Sequence, residues 1–464
     1  MAMLAGPCLV PLLLLLLQGC TSASARAKTR DAGQCEDKRV SEYKKFFSLL
    51  DDVIASQKDR HASRDMLPVC THLSTQRPQF PHGEPQKWQR VKHKSLYVYS
   101  AFYERRPEAD GPAIRVVGAA LQARFNRVGS YYCQMWYQSM KHPLAVGPAI
   151  FNVIYPSRLH GDEWTAHFVL CPLPESLNEV PYAVSVTGIR CEEPSNHLMI
   201  LNRDNYKKTN THALCISPMY NRFNAWELLI EQIELQSLLG AAEVTLYDLS
   251  VSEQMRNVLD NYLSDKTINV NVIKWPFPPL RSNVWCQHCA INDCLYRMGH
   301  KHKYVTSNDM DEILVPRVVK TWPQLIGRIH STYPDTGAFL FQHAYFRRNV
   351  TTEHPPLVTQ SSFWRTDQVT PPGKIRCKSM YEADKAISID LHFPYLLVPG
   401  AKELILDPKD GMLHHYRPYP METFAKHPER YTFIEDRYME TYKKFVTAMV
   451  KRRYYFLGKH KKDT

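Results

Sequence analysis

The chain has no uninterrupted apolar run of the roughly 20 residues that a membrane-spanning helix needs. Its nearest approach is residues 1–17, closing in the leucines at 12–17, with only about 15 apolar residues, the length of the hydrophobic region of a secretory signal peptide. No basic residue precedes that run, so the usual charged start is missing, and a short signal anchor stands as the alternative to a cleaved peptide. Nothing amphipathic flanks the run, which argues against a buried core helix. A second absence concerns zinc. Cys286-Gln287-His288-Cys289 has half the spacing of a zinc site, with Cys294 nearby, but no second closely spaced pair completes it; a disulfide or buried thiol is the expected state. A third is the lack of any recognised nucleic-acid module. The formal net charge of +12, clustered at 301–303, 451–453 and 459–462, would suit nucleic acid, an acidic membrane surface or a phosphorylated small molecule. A secretory start and disulfides turn that choice toward phosphates and solubility, with no nucleic acid expected.

What is present describes a folded lumenal body. The 464 residues, 44% of them apolar, allow two domains, each with its own core. Of 12 cysteines, Cys8 and Cys20 fall in or beside the targeting run. Cys35, Cys70, Cys133, Cys171, Cys191, Cys215, Cys286, Cys289, Cys294 and Cys377 remain for several disulfides, whose pairing the spacing does not reveal. Asn349-Val350-Thr351 is the one N-glycosylation sequon, expected on a surface loop.

The expected organisation is a signal peptide or short anchor over 1–20, a polar stem over 21–90 with an amphipathic helix at 42–56, and a β-rich accessory domain over 91–205. A catalytic α/β domain over 206–435 and a C-terminal helix with a basic tail over 436–464 complete it. In the accessory region, apolar and aromatic runs at 95–102, 113–119, 131–137, 149–155 and 183–187, parted by Gly, Pro and Asn, predict antiparallel strands. No convergent catalytic set is legible there, and structural support is favoured over acceptor binding. From about 211 the rhythm changes. Strands at 214–217, 243–247, 268–275 and 304–307 alternate with helices at 226–239, stopped by Gly240, 251–263 and 289–298. That alternation predicts βαβ units and a mostly parallel central sheet with helices on both faces, whose ligands gather beyond the carboxyl ends of the strands.

The last of these strands ends in Asn308-Asp309-Met310-Asp311-Glu312. A lone acidic turn is usually a solvated loop, but this one stands where such a sheet places its site. Two carboxylates two residues apart at a tight turn can approach one cation, and oxygen donors suit Mn²⁺ or Mg²⁺. Such an ion would bridge the phosphates of a nucleoside diphosphate and offset the charge of that leaving group. Glu312 is either an outer carboxylate or a support for the other two.

Residues from about 211 to 415 resemble the glycosyltransferase family 92 domain. The matching pieces, in order, are Cys215-Ile216-Ser217-Pro218-Met219-Tyr220, the run from Glu231 through Gly240, and Val244-Thr245-Leu246-Tyr247. Asn292-Asp293-Cys294-Leu295-Tyr296-Arg297, the acidic turn with Pro316, and His414-His415-Tyr416-Arg417 follow. The resemblance implies a GT-A fold in a Golgi membrane protein with a lumenal catalytic domain. It implies an inverting β1,4-transfer of galactose from UDP-galactose to a glycan acceptor on glycoprotein or glycolipid. This chain departs from the family in lacking the long anchor, which leaves membrane attachment or secretion after cleavage open. Carried onto these residues, Asp309 and Asp311 hold metal and diphosphate, and Ser217, Pro218 and Tyr220 border the uridine. His415 is the extra metal ligand, with His414 its rival because neighbouring strand residues point oppositely. Arg417 contacts a phosphate through its planar fork.

An inverting transfer also needs a carboxylate to take the acceptor proton. Asp335, Glu353, Asp367, Glu382 and Asp384 follow the metal turn; Glu353 is the first choice and Asp367 the second. Sugar faces stack on rings, for which Tyr345, Phe346, Phe363 and Trp364 are candidates beside a plain reading as core. The basic run Lys374, Arg376 and Lys378 either faces the anionic donor or is a solvated loop. Terminal β-galactose is the favoured acceptor, because the chain looks more like vertebrate than nematode members, with core fucose of N-glycans the alternative. Another UDP-sugar as donor, or a lectin-like protein without turnover, are the competing readings, and a homodimer stays open, since periodicity does not measure an interface.

Overall fold

A computed structural model describes residues 68–73, 77–81, 86–121, 131–154, 163–278, 280–348, 355–367, 376–418 and 432–460, all within one compact unit. The targeting run, most of the stem, Asn349 and Glu353 lie outside the described residues. Among the described residues no helix is long and apolar enough to cross a membrane.

The short apolar runs of the first half form nine strands, the main ones buried along nearly their whole length, because successive side chains point to opposite faces and both faces are covered. These are β1 (Gln89–Arg90), β2 (Leu96–Glu104), β3 (Ala113–Leu121), β4 (Tyr132–Trp136), β5 (Leu144–Val146), β6 (Ile150–Val153), β7 (Trp164–Pro172), β8 (Ala183–Thr187) and β9 (Leu198–Leu201). They lie in the order β5-β4-β8-β9-β2-β3-β7-β6, with β1 beside β2, and only β2 and β9 pair in parallel. The sheet curls over a core that includes Val98, Ile114, Val116, Met135, Val169 and Val186. The curl brings β4 and β7, which are not neighbours in that order, close enough for the Cys133–Cys171 disulfide.

The second half winds as β10 (Thr209–Met219), α1 (Trp226–Leu239), β11 (Ala241–Asp248), α2 (Glu253–Asp265), β12 (Asn269–Lys274), α3 (Gln287–Gly299) and β13 (His302–Asn308). Four of these strands, in the order β12-β11-β10-β13, are parallel throughout. The chain continues as β14 (Glu312–Pro316), α4 (Trp322–Thr332), β15 (Thr336–Arg348), β16 (Trp364–Thr366), β17 (Lys378–Glu382), β18 (Ala386–Ile389) and β19 (Pro394–Leu397). It closes with β20 (Lys402–Ile405), β21 (Gly411–Pro418), β22 (Phe433–Glu435) and α5 (Glu440–His460). Here the sheet becomes mixed, because β17 inserts antiparallel between β13 and β15, while β15 pairs in parallel with β20 and β21. The expected parallel sheet is therefore found in the half that carries the βαβ rhythm. Beyond β13 the order depends on pairings between strands far apart in the chain, which local periodicity does not encode.

Helices α1, α2, α4 and α5 cover one face of this sheet, through Leu229, Ile233, Met255, Leu259, Ile326 and Val446 among others. α3 covers the other, and the curled sheet packs over it, with Tyr99, Phe102, Val117 and Phe168 sharing a core with Ile291, Leu295 and Trp275. Sandwiched between two sheets, α3 is buried on nearly every side, so its polar residues need internal partners. Asn292 bonds the carbonyls of His288 and Ile389, and Asp293 accepts from Tyr247 Oη at 2.5 Å and from Arg297. The Cys215–Cys294 disulfide ties α3 to β10. α1 stops at Gly240, whose φ of +122° and the 2.7 Å approach that a Cβ would make to Pro323 both favour glycine.

Candidate functional site

The carboxyl end of β13 builds the site from one tight turn. Met310 drops into the core, which anchors the turn and leaves Asp309 and Asp311 on either side of it. Glu312 closes it: the Asp309 N–H donates to Glu312 Oε2 at 3.0 Å, and the Glu312 N–H to the Asp309 carbonyl at 3.2 Å. Glu312 is thus a support under the turn, buried with its carboxylate committed.

Its counter-charge comes from β17. The register that sets Thr306 opposite Met380 brings Lys378 alongside the end of β13. Its ammonium lies 3.0 Å from Asp309 Oδ2 and 3.1 Å from Glu312 Oε2, with the side chain 2% exposed. Burial alone would raise the Asp309 carboxyl, but the Lys378 charge, helped by the Ser217 hydroxyl, holds it well below the usual carboxylate range. Asp311 is held down as well, against burial, by His415 and Arg417. Both are therefore anions at any working pH.

The other wall is the β14–β21 ribbon, in which Glu312 faces His415 and Ile313 faces His414. His415 Nε2 is 3.5 Å from Asp311 Oδ2, and its Nδ1 is 3.5 Å from Glu312 Oε1 and 3.0 Å from His343 Nε2. Arg417 Nε donates to His415 Nε2 at 2.7 Å and stands 3.3 Å from Asp311. His414 points the opposite way, stacked on Phe346 with ring centres 4.0 Å apart and beside Arg317 at 3.2 Å. Strand alternation separates the two histidines, and only His415 joins the acidic turn.

Behind His414, Asp436 accepts from Arg317 at 2.9 Å and Arg365 at 2.7 Å. Burial would raise this carboxyl, and the two guanidiniums bring it down to about 2. Since an unfolded aspartate titrates at about 3.9, this stabilisation is complete above that value and is lost as pH falls toward 2. Thermal melts of Asp436→Asn should start lower at pH 7 and lose less between pH 5 and pH 2 than the parent. Parallel acid profiles would refute that role.

The remaining candidates divide. Ser217 and Pro218 lie at the end of β10, where Ser217 Oγ accepts from Gln287 Nε2 at 2.7 Å; the same nitrogen donates to Asp309 Oδ1 at 3.0 Å. Tyr220 is half-buried, its ring 6.3 Å from Trp285. Tyr345 joins the site, 4.2 Å from His343 and 5.3 Å from His415 ring to ring, with its hydroxyl bonded by Arg376. Phe346 belongs to the core, Phe363 lies under the Arg437 guanidinium and Trp364 is exposed. Asp367 is exposed after β16, its N–H bonded to the Thr432 carbonyl at 2.7 Å. Of the basic run, Arg376 and Lys378 converge on the site, and Lys374 lies outside the described residues. Sequence reasoning missed Gln287 and His343, and it left Lys378 undecided, because each reaches the turn through a pairing distant in the chain.

Among the described residues no three His, Cys, Asp or Glu side chains are gathered closely enough to hold an ion as they stand. The chemistry of the donors fits one nonetheless. Asp309 and Asp311 are deprotonated and partly open, 38% and 20% exposed. His415 turns one nitrogen toward Asp311, where it accepts from Arg417, and the other toward Glu312 and His343; with Arg417 drawn onto a phosphate oxygen, His415 would be a ligating imidazole backed by a carboxylate.

A family model described as glycosyltransferase family 92 matches residues 210–450. Two glycosyltransferase family 92 proteins of Caenorhabditis elegans are similar: one is 22% identical over 211 residues, 41% of this chain and 39% of that protein. The other is 27% identical over 154 residues, 30% of each. The matches thus span well under half the length of these relatives. Among solved structures, S. aureus TarS 1-349 in complex with UDP is 13% identical, covers 45% of this chain and 60% of that one, and has a TM-score of 0.27. Glucosyl-3-phosphoglycerate synthase from Mycobacterium tuberculosis with Mn²⁺, UDP-glucose and phosphoglyceric acid is 13% identical over 47% and 75%, with a TM-score of 0.24. The family match runs from β10 into α5 and encloses the acidic turn, Lys378 and the His415 ribbon, and the chain belongs to glycosyltransferase family 92.

Proposed function

We propose that the chain is an inverting β1,4-galactosyltransferase that moves galactose from UDP-galactose to terminal β-galactose on glycoprotein or glycolipid glycans. The observation that carries this reading is the convergence of Asp309, Asp311, His415 and Arg417 beyond the end of a parallel strand, in a chain of this family. Asp309, Asp311 and His415 would hold Mn²⁺ or Mg²⁺, which supplies charge neutralisation to the diphosphate leaving group. Arg417 adds a planar donor for a phosphate oxygen, the loop at Ser217, Pro218 and Tyr220 borders the uridine, and the Tyr345 ring offers an apolar face to a sugar. The acceptor hydroxyl oxygen attacks the anomeric carbon as the bond to UDP breaks on the opposite side, and a carboxylate takes the hydroxyl proton. Glu353 is the first choice for that base and Asp367 the second. The disulfides Cys70–Cys191, Cys133–Cys171, Cys215–Cys294 and Cys286–Cys289 support an oxidising compartment, and with the family they favour the Golgi lumen, anchored or secreted.

The test is turnover by the purified full chain against a panel of UDP-sugars crossed with galactose-terminated and core-fucosylated glycans, in Mn²⁺ or EDTA. Mn²⁺-dependent galactose transfer to galactose-terminated glycans is the expected result. Transfer to core fucose would move the acceptor, and no transfer from any donor by folded protein would overturn the reading in favour of a glycan-binding protein.

A further inference from the structure

Ahead of α3 the backbone adopts a conformation that side chains resist. Val284, Trp285 and Cys286 are three consecutive non-glycine residues with φ of 41°, 54° and 57°, in the left-handed region that β-branched and bulky residues rarely enter. Such a run persists only where its surroundings over-determine it, and it tends to mark a functional site. Here the surroundings are explicit. The Cys286–Cys289 disulfide closes the first turn of α3, with both cysteines buried. The Cys289 N–H donates to the Cys286 carbonyl at 2.9 Å, Trp275 Nε1 donates to the Trp285 carbonyl at 3.0 Å, and His288 Nε2 lies 2.7 Å from Asp390 Oδ1.

What this clamp presents is Gln287. Its side-chain nitrogen, 5% exposed as a residue, spans Ser217 Oγ at 2.7 Å and Asp309 Oδ1 at 3.0 Å. A carboxylate only accepts, so the amide must turn its nitrogen rather than its oxygen toward Asp309. Asp309 is then held at both oxygens, Oδ1 by Gln287 and Oδ2 by Lys378. Two donors on different oxygens fix the plane of a carboxylate, which one donor alone leaves free to rotate.

We infer that Gln287 is a positioning residue for the proposed donor site, held by the disulfide-closed left-handed turn, and that it sets the orientation of Asp309 relative to the Ser217 loop. The inference rests on the donor-site reading above. Lys378 supplies charge to the turn, and Gln287 supplies direction.

The test compares the full chain with Gln287→Met, which keeps the length and removes the hydrogen bonds, and with the Cys286→Ser/Cys289→Ser pair. UDP binding is measured by calorimetry with Mn²⁺ present, beside donor KM, kcat and the melting temperature. Losing a hydrogen bond to a charged group predicts UDP binding weaker by about tenfold to a hundredfold in Gln287→Met, with donor KM rising more than kcat falls. The cysteine pair should weaken UDP binding in the same direction, and adding Gln287→Met to it should cost little more, because the two act through one contact. Folded Gln287→Met with UDP affinity within about twofold of the parent overturns the inference and leaves the donor site standing. If the parent itself fails to bind UDP with Mn²⁺, the donor-site reading falls and takes this inference with it. Should the cysteine pair fail to fold, Gln287→Met decides alone.

Discussion

Asp309→Asn and Asp311→Asn should each slow galactose transfer by at least about a hundredfold, the scale of removing one electrostatic contact to a developing charge, while folded protein accumulates nearly as the parent does. Asparagine keeps the shape of the side chain and, with its oxygen toward Gln287, the bond that Gln287 makes at position 309, so the change there removes one negative charge together with the bond from Lys378. Glu312 still closes the turn and still pairs with Lys378 at 3.1 Å, and neither Asp309 nor Asp311 is deeply enclosed, which keeps the structural loss small. The two variants should differ in kind. At Asp309 the lost charge leaves the Lys378 ammonium with one carboxylate, Glu312, so the pair is neutral and less negative charge opposes a diphosphate. At Asp311 the lost charge releases Arg417 and His415 from their common partner, and UDP affinity in EDTA should rise relative to the parent. Because both carboxyls sit below the usual range, neither titrates near neutrality, and an acid limb of activity above pH 5 must arise elsewhere. Near-normal turnover in both variants would sink the assignment of the turn.

How much of this was legible in the chain itself follows from which contacts are local. The helix expected at 226–239 is α1 to the residue, that expected at 251–263 is α2 shifted by two residues, and that expected at 289–298 is α3, which starts two residues earlier and ends one later. The short strand expected at 214–217 is the centre of the longer β10. These elements announce themselves through apolar periodicity and breakers such as Gly240. The acidic turn was legible for the same reason, since it ends a strand in an alternating region. Lys378 was not, being 69 residues away from Asp309 and joined to it by the insertion of β17. His415 could be separated from His414 by strand alternation only in principle; which of them faces the turn depends on the pairing of β21 with β14. The disulfide partners were hidden likewise, except that Cys286 and Cys289 are close enough in sequence to find each other.

Lys378→Met should be among the most destabilising substitutions in the chain, on the order of 3–5 kcal/mol, because removing one partner of a buried pair leaves the other charge uncompensated. Methionine matches the length of the lysine stem and packs adaptably, so no large cavity confuses the result. Asp309 can turn its freed oxygen toward solvent, since its side chain is 38% exposed, but Glu312 at 3% cannot. The loss therefore centres on Glu312, the residue that closes the turn. Denaturant unfolding in EDTA should show it as a lower midpoint, and added Mn²⁺ should raise the midpoint of the variant more than that of the parent, because a divalent ion beside the same carboxylates replaces the missing positive charge. Equal stability of variant and parent in EDTA would refute the counter-charge role. A loss that Mn²⁺ does not relieve would count against these carboxylates as the ion's ligands, and would leave the Lys378 ammonium itself as the cation fixed at the end of β13.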